Sequence, residues 1–316
     1  MICNAIAGGI LWAALVACAI FGWFRAGLID VLFLLGPLVV VPLGLELSTR
    51  DGSNDNVRSL VHIAKWIQGI SALLVGGSFC FPQGATAAIF AAPWLCFGSL
   101  LGLWGLARFA TERPKSLQTV CLTVSFCYLP VGGAWLVASR YGINPMGFQE
   151  PIVLLTAVHF HFAGFAAPLL TRAAALAARN GTALKRTLFR IVAAGVLAGP
   201  GLLAAGFVIG PRLKLAAALL LVISEMGLSV FFLIATRTMR PRLAQMFVAL
   251  SAASVLFAMF FAGAWAIGEY PLQPFVHLAQ MAEFHGTANA LGFTLCGLLG
   301  WTISLPRAAE TKGEAQ

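Results

Sequence analysis

Ten long apolar stretches, parted by short polar connections, run through the chain: residues 4–24, 29–48, 60–81, 85–106, 117–139, 151–175, 188–209, 213–235, 243–266 and 280–304. Each approaches or exceeds the ~20 residues with which an α-helix crosses a ~30 Å hydrocarbon core. None shows the roughly ten-residue alternation of apolar and polar positions that marks a membrane β-barrel strand. The pattern predicts an all-α fold, a polytopic membrane helix bundle with about ten transmembrane helices. It reads as a single transmembrane domain over 1–306 followed by a short polar tail over 307–316.

Composition sharpens this class. Of 316 residues, 60% are hydrophobic and 10% charged, where soluble domains carry roughly 25% charged residues. If the connections alternate sides, all but four of the 20 Lys and Arg fall together, the exceptions being Arg25, Arg140, Arg212 and Lys214. Basic connections stay cytoplasmic, so both termini are expected inside. The net charge of +9 then sits at helix ends, where it meets anionic headgroups. No connection is long enough to build a basic, aromatic-bearing soluble face, so a nucleic-acid partner is excluded.

Leu15-Val16-Ala17-Cys18 has the shape of a lipoprotein cleavage box, but no basic residue precedes it and the apolar run continues to Phe24. Residues 4–24 are therefore expected as the first membrane helix and not as a processed leader. The seven cysteines are scattered without a Cys-x-x-Cys pair, which points to small buried side chains and not to a redox motif or thiolate metal site.

Proline and glycine predict bends in three stretches: Pro37 and Pro42 in the second, Pro130-Val-Gly-Gly in the fifth and Gly199-Pro200-Gly201 in the seventh. Such breaks serve packing, or they line a midplane site in the manner of discontinuous transporter helices.

Polar residues inside the spans carry the candidate chemistry. His159 and His161 lie 8 to 10 residues into the sixth stretch, ~12–15 Å deep. Glu225 falls near the middle of the eighth. The tenth opens with Glu283 and His285, and Asn289 is one turn deeper. An ionisable group at that depth costs at least about 2.5 kcal/mol and tends to mark function. Residues two apart on an α-helix point ~200° apart, so His159 and His161 cannot share an ion unless the helix is distorted there. One of them with His285 and Glu225 makes a candidate metal site, with His159, His161 and His285 as candidate ligands for zinc, iron or haem. The alternative is that these residues are polar glue between helices. Elsewhere, Glu46 is placed to make a structural contact with His62, Lys65 or Arg50, and Glu150 to start a helix or rim a cavity. His277 stands at a cavity mouth, and Trp135, Trp265 and Tyr270 fit an interfacial belt.

The segments Leu155-Thr-Ala-Val-His159-Phe-His161-Phe-Ala-Gly-Phe165 and His285-Gly-Thr-Ala-Asn289-Ala-Leu-Gly-Phe293 resemble the YndJ-like bacterial membrane proteins. The resemblance implies a multi-pass protein of the bacterial cytoplasmic (inner) membrane with His159, His161, His285 and Asn289 as signature positions. It supplies no activity.

Two functions fit the residues. One is a membrane-embedded enzyme or metal- or haem-binding protein acting on a lipophilic substrate, its histidines serving as ligands or as general acid and base. The other is a proton-coupled transporter with His159, His161, Glu225 and Glu283 as a relay. The sixth and tenth helices do not occupy equivalent places in two five-helix halves, which counts softly against transport. A structural or assembly subunit is the third reading. The lipid bilayer is the expected partner, and oligomeric state is not legible.

Overall fold

The computed structural model describes residues 1–50, 55–112, 116–178, 181–270, 273 and 275–305. The expected polar tail, 307–316, lies outside the described residues, as do the basic residues Arg113, Lys115, Arg179, Arg307 and Lys312. Among the described residues the chain is helical, without strands. Nine helices there are long and apolar enough to cross a membrane: α1 Ile2–Ile20, α2 Leu28–Ser48, α3 Asp55–Ser78, α4 Ala85–Thr111, α5 Leu117–Tyr141, α6 Ile152–Leu176, α7 Ala183–Ile209, α8 Pro211–Thr236 and α9 Arg242–Glu269. The tenth apolar stretch is a run of mixed α and π turns over 278–304, here α10. The all-α membrane bundle read from hydropathy is the fold.

The second stretch changes geometry around Pro37 and Pro42, as its prolines lead one to expect, while the other two proline stretches stay helical throughout. α5 runs unbroken through Pro130, and α7 runs unbroken through Pro200. The helices that do change geometry are α2, α6 and α10. They widen into π-helix at Gly36–Val40, at Phe160–Ala166, and at Met281–Gly286 and Ala288–Cys296. In α2 and α6 a proline supplies a cause, because Pro42 and Pro168 withhold the N–H that Leu38 and Gly164 would receive in an α-helix. α10 has no proline. In all three, a polar side chain from a neighbouring helix donates to a carbonyl of the widened stretch: Gln68 Nε2 to Pro37 O (2.9 Å), Ser125 Oγ to Phe165 O (2.7 Å) and Ser251 Oγ to Phe293 O (2.6 Å). Side chains inserted into the backbone ladder distort helices in this way.

The chain divides into two compact units, Met1–Lys115 with Leu122–Ala166, and Ser116–Cys121 with Ala167–Leu305. In the first unit α2 is the buried centre, as an all-round apolar helix must be. Arg50 donates to Glu46 at 2.8 Å. Arg140 donates to the Ser78 and Phe81 carbonyls at 3.2 and 2.8 Å, tying the end of α5 to the end of α3. Glu150 accepts from the Leu154 N–H at 3.2 Å, which favours its helix-start role. In the second unit an ion pair between Lys214 and Glu269 (2.9 Å) joins the start of α8 to the end of α9.

Candidate functional site

Each unit holds a histidine on a π stretch, and each is best understood alone. In the first unit His161 has no exposed surface. Its Nδ1 lies 2.7 Å from the Ala157 carbonyl, one turn back, and its Nε2 lies 2.8 Å from the Trp94 indole nitrogen. A carbonyl only accepts and an indole N–H only donates. The ring is therefore the Nδ1–H tautomer, and its remaining lone pair is taken by Trp94. Phe33 presses edge-on at 5.2 Å between centroids. Gly132 admits the ring from α5: a Cβ there would stand 2.7 Å from Nδ1. His161 is a closed, fully satisfied core residue.

His159, two residues earlier and partly buried, rests against the edge of Phe160 at 6.2 Å between centroids.

In the second unit His285 is partly buried on α10 and donates from Nδ1 to the Ala258 carbonyl at 2.9 Å. Asn289 lies one turn on. Its amide nitrogen is 3.3 Å from Nδ1 and 3.2 Å from Nε2. A donor nearly equidistant from both ring nitrogens sits against the side or face of the ring and not along the Nε2 lone pair. That lone pair meets only this off-axis amide, in contrast to the one Trp94 occupies in line.

Glu225 sits mid-way along α8 and is 3% exposed; its Oε2 has no hydrogen-bond partner. Two turns further on the same face, Phe232 packs on Phe293 (6.1 Å between centroids) and Trp301 (5.6 Å) of α10. The face that bears Glu225 therefore turns towards α10, and Phe293 in turn lies two turns beyond His285. By these ring contacts Glu225 and His285 stand at similar depth on their helices, and no hydrogen bond or ion pair joins them. Glu283, two residues from His285, is exposed and does not join this group. Within neither unit do three His, Cys, Asp or Glu side chains of the described residues converge to hold a metal ion.

Sequence reasoning missed Trp94, Phe33, Ser125, Ser251 and Ser254. Only Trp94 carried a usable signal. Tryptophan favours the membrane interface, so one in the middle of an apolar span needs a buried acceptor for its N–H.

Both histidine sites lie inside a region with recognisable relatives. The family model described as YndJ-like protein matches residues 31–293. The Bacillus subtilis (strain 168) protein named "Uncharacterized membrane protein YndJ" is 26% identical over 236 residues, covering 71% of this chain and 42% of the relative. The match thus spans less than half of that relative's length. No solved structure matches. With His161, Glu225, His285 and Asn289 all inside a family match that covers most of its length, the chain belongs to the YndJ-like family of membrane proteins.

Proposed function

We propose that the chain is a proton-coupled transporter of the bacterial inner membrane, both termini cytoplasmic, with Glu225 and His285 as its proton-exchanging groups and Asn289 holding the histidine ring. The observation that carries this reading is a carboxyl buried mid-span with an unpartnered oxygen, at the height of a histidine whose Nε2 meets only the off-axis Asn289 amide. Intramembrane carboxylates and histidines of this kind form proton relays in pumps and transporters. The π turns of α10 fit as well, since such turns gather at functional sites and irregular helices build transporter binding sites. Glu283, exposed at the same end of α10, serves as a rim acid. His161, with both nitrogens bonded, is left out of the relay.

A metal or haem centre on His159, His161 and His285 draws no support from the convergence of ligands within either unit. An acid–base enzyme acting on a lipophilic substrate would use the same Glu225 and His285. The two are separated in proteoliposomes loaded with a pH-sensitive dye and screened against candidate solutes. Solute-dependent proton flux that needs a sealed vesicle and disappears in Glu225→Gln and His285→Ala supports transport. Turnover in detergent micelles, lost in the same variants, would replace transport with the enzyme.

A further inference from the structure

The two histidine hairpins repeat one design. In the first unit Ser125 of α5 donates to Phe165 O of α6, and three residues on, Tyr128 packs against Gly164. In the second, Ser251 of α9 donates to Phe293 O of α10, and three residues on, Ser254 packs against Gly292. Aligning the Gly-Phe pairs sets His161 opposite Asn289 and Ala157 opposite His285. Aligning the serines sets Gly132, which faces the His161 ring, opposite Ala258, whose carbonyl holds the His285 ring. The spatial slot is kept in both hairpins while the histidine moves back by one turn.

The helix before each hairpin extends the match. Gly98 of α4 lies against Pro130 of α5, and Val222 of α8 lies against Gly263 of α9. Carried through these contacts, Trp94 and Glu225 fall at the same height. Their burial agrees: Trp94, Phe97 and Leu101 make one inward stripe, and Glu225, Leu228 and Phe232 make the other, at identical spacing. In the first unit the indole of Trp94 reaches Nε2 of His161 and closes the slot. A glutamate is shorter, and in the second unit Glu225 Oε2 reaches no partner.

From this we infer that Glu225 and His285 flank a ligand position, filled in the first unit by the Trp94 indole N–H, and that its occupant is a small cation with N–H donors: an ammonium or primary alkylammonium ion. The inference rests on the transport reading and names its cargo class. Its basis is charge and donor complementarity. The two facing groups, a carboxylate oxygen and the Nε2 lone pair, are both acceptors. The described Lys and Arg of this unit sit towards helix ends, none in the middle of α8, α9 or α10, so with His285 neutral no described side chain there supplies the positive charge. One carboxylate that takes either a proton or the cation, never both, also provides a coupling rule.

The test is equilibrium binding of radiolabelled methylammonium to the full chain in detergent, where no gradient exists. Saturable one-site binding is expected. Glu225→Gln and His285→Ala should weaken it by about tenfold or more, the loss of a charge-assisted hydrogen bond, while Glu112→Gln, beyond the end of α4 in the first unit, should stay near wild type. Glu225→Trp should abolish binding yet keep or raise the melting temperature, because the indole N–H then meets His285 Nε2; a Glu225→Trp protein that binds methylammonium as wild type does would overturn the shared slot. No saturable binding by the wild-type chain, or full binding by Glu225→Gln, would overturn the ligand assignment. If methylammonium binds at Glu225 but sealed vesicles show no proton flux, the transport reading fails and the site stands. If other solutes drive flux and methylammonium does not bind, transport stands and the ligand assignment fails.

Discussion

His161 and His285 look alike in sequence, each an intramembrane histidine on a helix that continues into Gly-Phe, yet their surroundings are opposite in kind. His161 is enclosed by Trp94, Phe33 and Gly132, with both ring nitrogens bonded in line. His285 has one nitrogen bonded to Ala258 and the other without an in-line donor, and a carboxyl with an unpartnered oxygen lies at similar depth on α8. The difference comes from one position on the preceding helix, tryptophan in one unit and glutamate in the other. A histidine becomes scaffold or chemistry according to the neighbour that meets its second nitrogen.

The comparison breaks most readily at His161. His161→Ala removes a packed ring and strands the Trp94 N–H, and should destabilise the detergent-solubilised chain by about 3 kcal/mol, read as a fall in melting temperature. His285→Ala should cost under about 1 kcal/mol and instead remove activity and binding. Equal stability losses in the two variants would erase the distinction between a sealed and an open site. Next in size is Gly132→Ala, which drives a methyl to within 2.7 Å of the His161 ring and should cost about 1–3 kcal/mol by overpacking. Gly76→Ala meets no atom within 4 Å and serves as the neutral control.

Trp94→Phe sharpens the point about the second nitrogen. It keeps an aromatic ring in the slot but withdraws the donor, so about 1–2 kcal/mol should be lost by unfolding assays, without any effect specific to transport. The smallest effects belong to the two serines. Ser125→Ala and Ser251→Ala should each cost about 0.6 kcal/mol, the usual worth of an interhelical hydrogen bond in a membrane. Similar melting shifts in the pair would support the repeated hairpin. A loss confined to one of them would show that the two π stretches are held by different forces.

Hydropathy along the chain was enough to establish the helical membrane fold, because lipid demands that each crossing segment satisfy its own backbone and present apolar side chains over a fixed length. That constraint is local, so it can be read residue by residue. The same logic singled out His161, Glu225, His285 and Asn289, since a polar side chain in an apolar run is conspicuous wherever it lies. Proline was a poorer guide: Pro130 and Pro200 pass through intact helices, while α10 widens without any proline. Whether a proline distorts a helix depends on what packs against the freed carbonyl, and no local pattern records that.

The division of labour between the histidines was decided only in three dimensions. Trp94 reaches His161 across 67 positions of sequence, and Ala258 reaches His285 across 27. Nothing in the spacing of His159, His161 and His285 announces these partners. The repeat of the hairpins was hidden as well, because it consists of contacts, a serine on a carbonyl and a glycine under a side chain, carried by few shared letters. Composition and periodicity determined that the chain crosses the bilayer and where its polar groups lie. Tertiary packing alone decided which groups are spent on one another and which are left open, because a hydrogen bond depends on distance and direction between helices that sequence order does not fix.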